Sequence, residues 1–259
     1  MRVQIYLGSV LLEFNRWAKE RLPTFRVSEW ADRSAAAGFD GIELWENHYA
    51  RTDPAERAAL QTAQLPVTIF NSYVTLRADG ETARQRVAAF VCALRAPAVK
   101  FNVGADPETL ASELRTAREW AAGMPGVRLL CECHPGTALE DAAAAAAALA
   151  DYPEIGVIVH PFSRADLPGW LRHLGPKIRH AHVQVVDAQQ RRRRLCDQPT
   201  LARERLAMLR EGGFSGSLTI EFTAGVGAAP ENREALFAAA CDDLAFLREN
   251  GFGSTGGIP

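Results

Sequence analysis

Eight short apolar runs rich in β-branched residues recur along the chain, each followed by a segment with helical periodicity. The runs lie at residues 3–7, 39–45, 66–70, 98–103, 127–133, 155–160, 178–186 and 217–222. Each run is almost continuously apolar, which is typical of strands that are covered on both faces in a parallel sheet. The intervening segments, such as DPAERAALQTAQ, have the apolar spacing of amphipathic helices. The pattern therefore predicts alternating strands and helices throughout.

The spacing of the runs distinguishes between two α/β architectures. Successive runs start roughly 30 residues apart, the length of one βα unit. Eight such units favour a single closed (β/α)8 TIM barrel over an open doubly wound sheet, which carries a glycine-rich fingerprint after its first strand. The first run here continues as LGSVLLEF, without that fingerprint. We therefore predict an α/β fold with one barrel over residues 1–250 and a loose C-terminal tail, GFGSTGGIP, over residues 251–259.

Composition and charge narrow the class of partner. A formal charge of −2 provides no excess of cations for a nucleic-acid backbone or an anionic membrane. No stretch approaches the roughly 20 apolar residues of a membrane span, and the N-terminus lacks a basic-then-apolar signal region. The five cysteines, an odd number, indicate reduced thiols. We expect a cytoplasmic protein that acts on a small molecule, with no nucleic-acid or membrane partner, and the sequence leaves homo-oligomerisation open.

Polar residues that interrupt or end the apolar runs are the candidates for chemistry, because TIM-barrel sites lie at the C-terminal ends of the strands. Two carboxylates and two imidazoles are distributed one to a run over the last four runs, at Glu132, His160, His182 and Glu221. A buried carboxylate is costly unless it is paired, hydrogen-bonded or bound to a cation. One divalent metal would satisfy all four residues. Mn²⁺ or Zn²⁺ suits these donors best, with Co²⁺, Fe²⁺ or Mg²⁺ as further candidates. A buried ion pair with an arginine is the alternative for each glutamate.

Four further residues are predicted to bind substrate: Glu43, Lys100, His134 and Gln184. His134 shares a strand face with Glu132, and Gln184 shares one with His182, so both can reach the same site. Each also has a structural alternative, a supporting contact for His134 and a buried core amide for Gln184. Lys100 is one of only three lysines, and its alternative is a strand residue whose ammonium reaches solvent. Glu43 is predicted to bind substrate or to support a metal ligand, and its structural alternative is a core ion pair.

A run of four arginines follows the seventh apolar run, at Arg191–Arg194. If the register is right, this loop lies on the active-site face of the barrel. One or two of these side chains could clamp a phosphate or a carboxylate on the substrate. The sequence does not single out which.

Five motifs resemble, in their usual order, those of the xylose isomerase-like TIM barrels. They are GFDGIELW with His48 close behind, LLCECHPG, GVIVHPFS, IRHAHVQVVD and GFSGSLTIEF. That family includes sugar and sugar-phosphate isomerases and epimerases, inosose dehydratases and endonuclease IV. By this resemblance, Glu132 and Glu221 match the two glutamates that bind the metal and exchange protons with substrate, and His182 matches a histidine ligand. The family's usual Asp-x-x-His on strand six is replaced here by His160 and Ser163.

Because of that departure, His160 is predicted as a metal ligand on geometry alone. The alternative is that His160 is structural and forms a hydrogen bond with a loop carbonyl. The resemblance implies a metal-dependent isomerase or epimerase acting on a sugar, sugar phosphate or related hydroxy-ketone through an enediolate. The alternatives are a lyase or dehydratase of the inosose or keto-sugar type, and a non-catalytic sugar-binding barrel. A nuclease like endonuclease IV is disfavoured, because Ser163 stands in place of a ligand histidine and the net charge is negative.

Overall fold

The computed structural model describes residues 2–163 and 165–253, and within them the strands close into a parallel barrel. Each strand pairs with the next along the chain, and the last pairs with the first. The barrel strands are β1 (Ile5–Gly8), β2 (Gly41–Trp45), β3 (Val67–Asn71), β4 (Ala98–Phe101), β5 (Arg128–Glu132), β6 (Ile155–Val159), β7 (Ile178–Val183) and β10 (Ser217–Ile220). The eight predicted strands and the single (β/α)8 barrel are therefore confirmed.

Helices follow the strands around the outside of the barrel. They are α1 (Ser28–Ala37), α2 (Asn47–Ala50), α3 (Pro54–Thr62), α4 (Glu81–Leu94), α5 (Pro107–Ala122), α6 (Ala142–Ala148), α7 (Leu167–Leu174), α8 (Pro199–Glu211) and α9 (Arg233–Glu249). Several begin at an aspartate whose side chain accepts a hydrogen bond from an amide of the first turn, as Asp53 does from Glu56 at 2.9 Å. Among the described residues, none of the helices is long and apolar enough to cross a membrane.

In the structure, the seventh predicted run divides into two strands rather than forming one. Strand β7 ends at Val183, and β8 (Val185–Val186) leaves the barrel to pair antiparallel with β9 (Arg192–Arg193). The side chain of Asp187 stabilises the turn between them by accepting hydrogen bonds from the amides of Gln189 and Arg191, both at 2.9 Å. This β8–β9 hairpin therefore carries part of the arginine run beside the end of the barrel.

The interior of the barrel is apolar at one level and polar at the next. An apolar plug, separate from the large core between the barrel and the helices, consists of Tyr6, Ile69, Ala98, Leu130 and Ile158. Side chains two positions further along a strand point to the same face. They are Asn71, Lys100, Glu132 and His160, which lie toward the C-terminal ends of their strands and are all buried. The plug thus forms the floor on which a polar layer rests.

The predicted loose tail over residues 251–259 lies largely outside the described residues, which end at Gly253. Within the described part, Phe252 is buried at 2% exposure. A Cβ atom on Gly253 would approach the side chain of Ile5 to 2.9 Å, so these residues pack against the start of β1. The tail beyond them stays a prediction.

A buried carboxyl group on α9 predicts a pH dependence of stability. Asp243 is 1% exposed and accepts hydrogen bonds from the Leu195 amide and the Thr223 hydroxyl, each at 2.6 Å. Burial raises the pKa of Asp243 to about 7, above its usual 3.8. The folded protein therefore holds this proton more tightly than the unfolded chain. The associated stability is present below about pH 4 and is lost as the pH rises to about 7, at up to about 1.4 kcal/mol per pH unit.

We expect Asp243→Asn, which resembles the protonated carboxyl group, to be more stable than the native protein at pH 8 and similar to it at about pH 3.5, where the native carboxyl group is protonated in both the folded and the unfolded chain. Urea unfolding of chelator-treated protein at both pH values measures this difference. The matched control is Asp32→Asn at an exposed position of α1, which does not contribute to the shift of Asp243, so its pH dependence should follow that of the native protein. A constant difference between Asp243→Asn and the native protein across this range would contradict the prediction.

Candidate metal centre

Four successive strands bring the predicted metal ligands together at their C-terminal ends. Glu132 is the last residue of β5, His160 follows β6, His182 lies near the end of β7, and Glu221 follows β10. All four are buried, and one donor atom of each lies within 4.8 Å of the others. The structure therefore assembles the predicted set, and its role as a metal site stays a prediction.

Glu132 lies at the centre of this cluster, and both of its carboxylate oxygens are engaged. Its Oε1 atom is 2.9 Å from Nε2 of His160 and 3.1 Å from Nδ1 of His182. Its Oε2 atom is 2.6 Å from Nζ of Lys100 and accepts a hydrogen bond from Asn102 at 3.1 Å. Burial alone would raise the pKa of Glu132, but Lys100 and the two imidazoles outweigh it and hold the pKa well below its usual range. Glu132 is therefore ionised.

Lys100 is the counter-ion of Glu132, so the predicted alternative of an arginine partner does not describe this glutamate. Lys100 is 3% exposed, and its Nζ atom also lies 4.8 Å from the centre of the Tyr73 ring. Burial alone would lower the pKa of Lys100, but Glu132, with smaller contributions from Tyr73 and Glu221, raises it above its usual range. The ammonium is therefore charged and lies in the wall of the site rather than in bulk solvent.

Glu221 lies in a different environment from Glu132. Its nearest charged partner is His182, whose Nδ1 atom is 3.5 Å from Oε2 of Glu221. Burial raises the pKa of Glu221, the negative charge of Glu132 raises it further, and His182 only partly opposes the shift. The two glutamates thus have pKa values shifted in opposite directions, which is typical of carboxyl pairs whose members take different acid–base roles.

The imidazole of His182 is held between carboxylates on both sides. Its Nδ1 atom faces Glu132 and Glu221, and its Nε2 atom lies 3.1 Å from both oxygens of Glu43. Burial alone would lower the pKa of His182, but these carboxylates raise it well above the usual value. Glu43 also accepts a hydrogen bond from Asn71 at 2.8 Å. A carboxylate on the far nitrogen is the usual support of a metal-binding histidine.

Glu43 was predicted as a residue that binds substrate or supports a ligand. It is 2% exposed and does not line the cavity above the cluster. Its position beneath His182 therefore fits the second role and not direct contact with a substrate.

His160 is held in a similar way by Gln184. Its Nδ1 atom is 2.7 Å from Nε2 of Gln184, while its Nε2 atom faces Glu132. Both ring nitrogens therefore contact side chains, unlike the predicted alternative of a hydrogen bond to a loop carbonyl. His134 is placed differently, with Nδ1 2.7 Å from the Pro135 carbonyl oxygen. Gln184 and His134 both line the cavity, where they can reach a bound molecule.

A cavity of about 560 Å³ opens above the cluster. It is lined by Trp17, Tyr73, Val74, Lys100, Asn102, Glu132, His134, His160, Gln184, Arg192, Glu221 and Phe222. A second cavity, of about 420 Å³ at the opposite end of the strands, is lined by none of the predicted site residues. The cavity lined by the cluster is therefore the space in which these residues could meet a substrate.

Sequence reasoning missed the aromatic wall of this cavity, formed by Trp17, Tyr73 and Phe222. Trp17 and Tyr73 lie in loops outside the apolar runs and are 56% and 47% exposed. Large exposed aromatic residues in loops on the active-site face are a signal that could have found them.

The donor set fits one divalent cation. Tetrahedral or octahedral ligands at about 2.1 Å from an ion are separated from their neighbours by about 3.0–3.4 Å. The separations here are 2.9 Å and 3.1 Å from Glu132 to the two imidazoles, and 3.5 Å between His182 and Glu221. Since Lys100 holds Oε2 of Glu132, Oε1 is the oxygen available to an ion. Two imidazoles with two carboxylates suit Mn²⁺ or Zn²⁺.

The sequence matches no protein-family model and no curated protein. The structure is similar to the probable 3-DHS dehydratase AsbF of Bacillus anthracis, with a TM-score of 0.69 and 15% identity over 95% of this chain and 99% of that one. It is also similar to the 3-keto-D-glucoside 4-epimerase YcjR of E. coli, with a TM-score of 0.67 and 17% identity over 96% and 100%. A third similar structure is the protein IolI, solved with a bound zinc atom.

For IolI the TM-score is 0.69, with 14% identity over 96% of this chain and 99% of that one. At such identities the likeness shows the fold alone. The chain has the xylose isomerase-like TIM-barrel fold, as its motifs indicated.

Proposed function

We propose that this chain is a metal-dependent isomerase or epimerase that acts on a sugar, a sugar phosphate or a related hydroxy-ketone. The observation that carries the proposal is the cluster of two buried carboxylates and two imidazoles whose donor atoms lie within 4.8 Å of one another beneath a cavity. Similar folds that are named as an epimerase and a dehydratase, and one that holds zinc, support it.

Glu132, His160, His182 and Glu221 would hold the metal, with Mn²⁺ or Zn²⁺ as the best fit. When bound, the cation supplies Lewis-acid stabilisation of the negative charge that develops on substrate oxygens during proton removal. Glu43 and Gln184 would orient the two histidines from outside the cluster.

Glu221 is the group that we assign to removing the proton from the carbon beside the substrate carbonyl. It lines the cavity, and its carboxylate is the less engaged of the two, because its shortest ion-pair distance among the described residues is 3.5 Å, to His182. In an epimerisation Glu132, which Lys100 keeps ionised, would remove the proton from one face of the substrate, and Glu221 in its protonated form would supply a proton to the other face. Exchange with solvent would then restore both carboxyl groups. Lys100 and His134 would donate hydrogen bonds to substrate oxygens.

Proton exchange tests this function before the natural substrate is known. Purified protein should contain close to one equivalent of a divalent transition metal by mass spectrometry. In D₂O, the metal-loaded protein should introduce deuterium beside the carbonyl of at least one member of a panel of ketoses, keto-glycosides and their phosphates, followed by NMR. Loss of a β-hydroxyl group during the exchange would instead identify a lyase. Absence of both metal and exchange would contradict the proposal and favour a non-catalytic sugar-binding barrel.

A further inference from the structure

Three of the four consecutive arginines after β7 form ion pairs with nearby aspartates. Arg191 and Arg193 both contact Asp187, at 3.0 Å and 2.7 Å. Arg194 contacts Asp197 at 2.8 Å. These pairs stabilise the β8–β9 hairpin and the 3-10 turn after it, so these three side chains are explained by local structure.

Arg192 differs from its three neighbours. Within residues 2–163 and 165–253 it makes no ion pair, and its Nε atom is buried without a hydrogen-bond partner. Its guanidinium carbon lies 5.0 Å from the centre of the Trp17 ring and 4.7 Å from that of Phe222. The aromatic faces hold the planar group by cation–π contact and provide no acceptor for its buried Nε–H. Arg192 lines the cavity above the metal cluster.

No carboxylate of the described residues forms an ion pair with Arg192. Glu132 is paired with Lys100, the nearest charged partner of Glu221 is His182, and Glu231 is paired with Arg16. Burial lowers the pKa of Arg192, so a cation that is itself partly desolvated faces the cavity. A carboxylate or phosphate group can accept two parallel hydrogen bonds from such a guanidinium group.

We propose that Arg192 is the anion-binding residue of the substrate site, and that the substrate carries a carboxylate or a phosphate group. The aromatic pair of Trp17 and Phe222 fixes the plane of the guanidinium group, and the hairpin fixes its position beside the metal cluster. The claim that the anion belongs to the substrate of the proton-transfer site rests on the proposed function. The claim that Arg192 binds an anion does not rest on it, and anion binding can be measured on metal-free protein.

The test compares two anionic probes with a neutral one. Binding of gluconate, inorganic phosphate and glucose to chelator-treated protein is measured by isothermal titration calorimetry and by tryptophan fluorescence, which Trp17 should report. The native protein should bind at least one anion and bind glucose more weakly. Arg192→Gln should lower the affinity for that anion by about tenfold or more. Arg192→Lys keeps the charge but not the two parallel N–H donors of the guanidinium group, so it should lower the affinity by less. The preferred anion tells a carboxylate substrate from a phosphate.

The matched control is Arg191→Gln, which removes the same charge one position earlier on the same hairpin and should leave anion affinity within about twofold. Circular dichroism of each variant checks that the fold is kept. Equal anion binding by the native protein and Arg192→Gln, or no anion binding by the native protein, would overturn the inference. Failure of deuterium exchange with anion binding intact would instead count against the proposed function alone.

Discussion

Glu221→Gln is expected to lower the rate of deuterium exchange by about 10²- to 10⁴-fold, the usual contribution of a positioned acid–base group. The substitution removes the carboxylate that we assign to proton removal and one of the four candidate metal donors, with almost no change in volume. The melting temperature of the metal-free protein should stay close to the native value. The reason is that, among the described residues, the shortest ion-pair distance of Glu221 is 3.5 Å, to His182, and that burial already opposes its ionised form.

The measurement is NMR of the substrate in D₂O, with enzyme loaded at a metal concentration that saturates the native protein. A second measurement, of metal affinity, separates a lost ligand from a lost base. If Glu221→Gln bound metal normally and exchanged protons at the native rate, Glu221 would have no part in the chemistry.

Glu132→Gln is expected to have its largest effect on stability, in contrast to Glu221→Gln. Lys100 is buried against Oε2 of Glu132 at 2.6 Å, so the substitution leaves an ammonium group in the barrel without its counter-ion. Breaking a buried pair in this way costs about 3–5 kcal/mol of the free energy of unfolding. Urea unfolding of chelator-treated protein at pH 7 measures the loss.

A second substitution makes this prediction specific. Lys100→Met in the Glu132→Gln background removes the unpaired charge and keeps an unbranched side chain of similar length, so it should restore a large part of the lost stability. If the two substitutions instead destabilised the protein additively, the ion pair between Lys100 and Glu132 would not be the source of the effect.

The barrel and the ligand cluster could be predicted from sequence because both follow from short-range patterns. Each apolar run shows where a strand ends, and parallel strands bring their C-terminal ends together. Alternation along a strand then places Glu132 above Leu130 and His182 above His180, inside the barrel. Four residues at four strand ends are enough to define one site, whatever the details of the packing.

The partners of those residues could not be predicted in the same way. The depth of a side chain inside a barrel depends on the stagger between strands, so the sequence placed Glu43 inside without showing that it lies beneath His182. The alternative to a metal at Glu132 was an ion pair with an arginine, and the ion pair that the structure shows is with Lys100, from the neighbouring strand β4. The choice between these cations depends on reach and register, which the sequence does not reveal.

Arg192 is the residue for which sequence reasoning was least informative. Four identical residues in a row carry no periodicity that distinguishes them. Two contacts distinguish Arg192 from the other three arginines. Asp187 forms ion pairs with its neighbours Arg191 and Arg193, and Arg192 itself packs on the ring of Trp17 from the first loop of the chain. Both contacts depend on the tertiary structure.

The β8–β9 hairpin carries Arg192 but none of the four candidate metal donors, which all lie on or just beyond barrel strands. The residues that would perform the proton transfer and the residue that would select the substrate's charge therefore lie on separate segments of the backbone. Over evolutionary time, insertions, deletions or substitutions in residues 185–194 can retarget the protein to a neutral or differently charged substrate without disturbing the proton-transfer groups. Grafting a different hairpin at this position is accordingly the natural starting point for redesigning its selectivity.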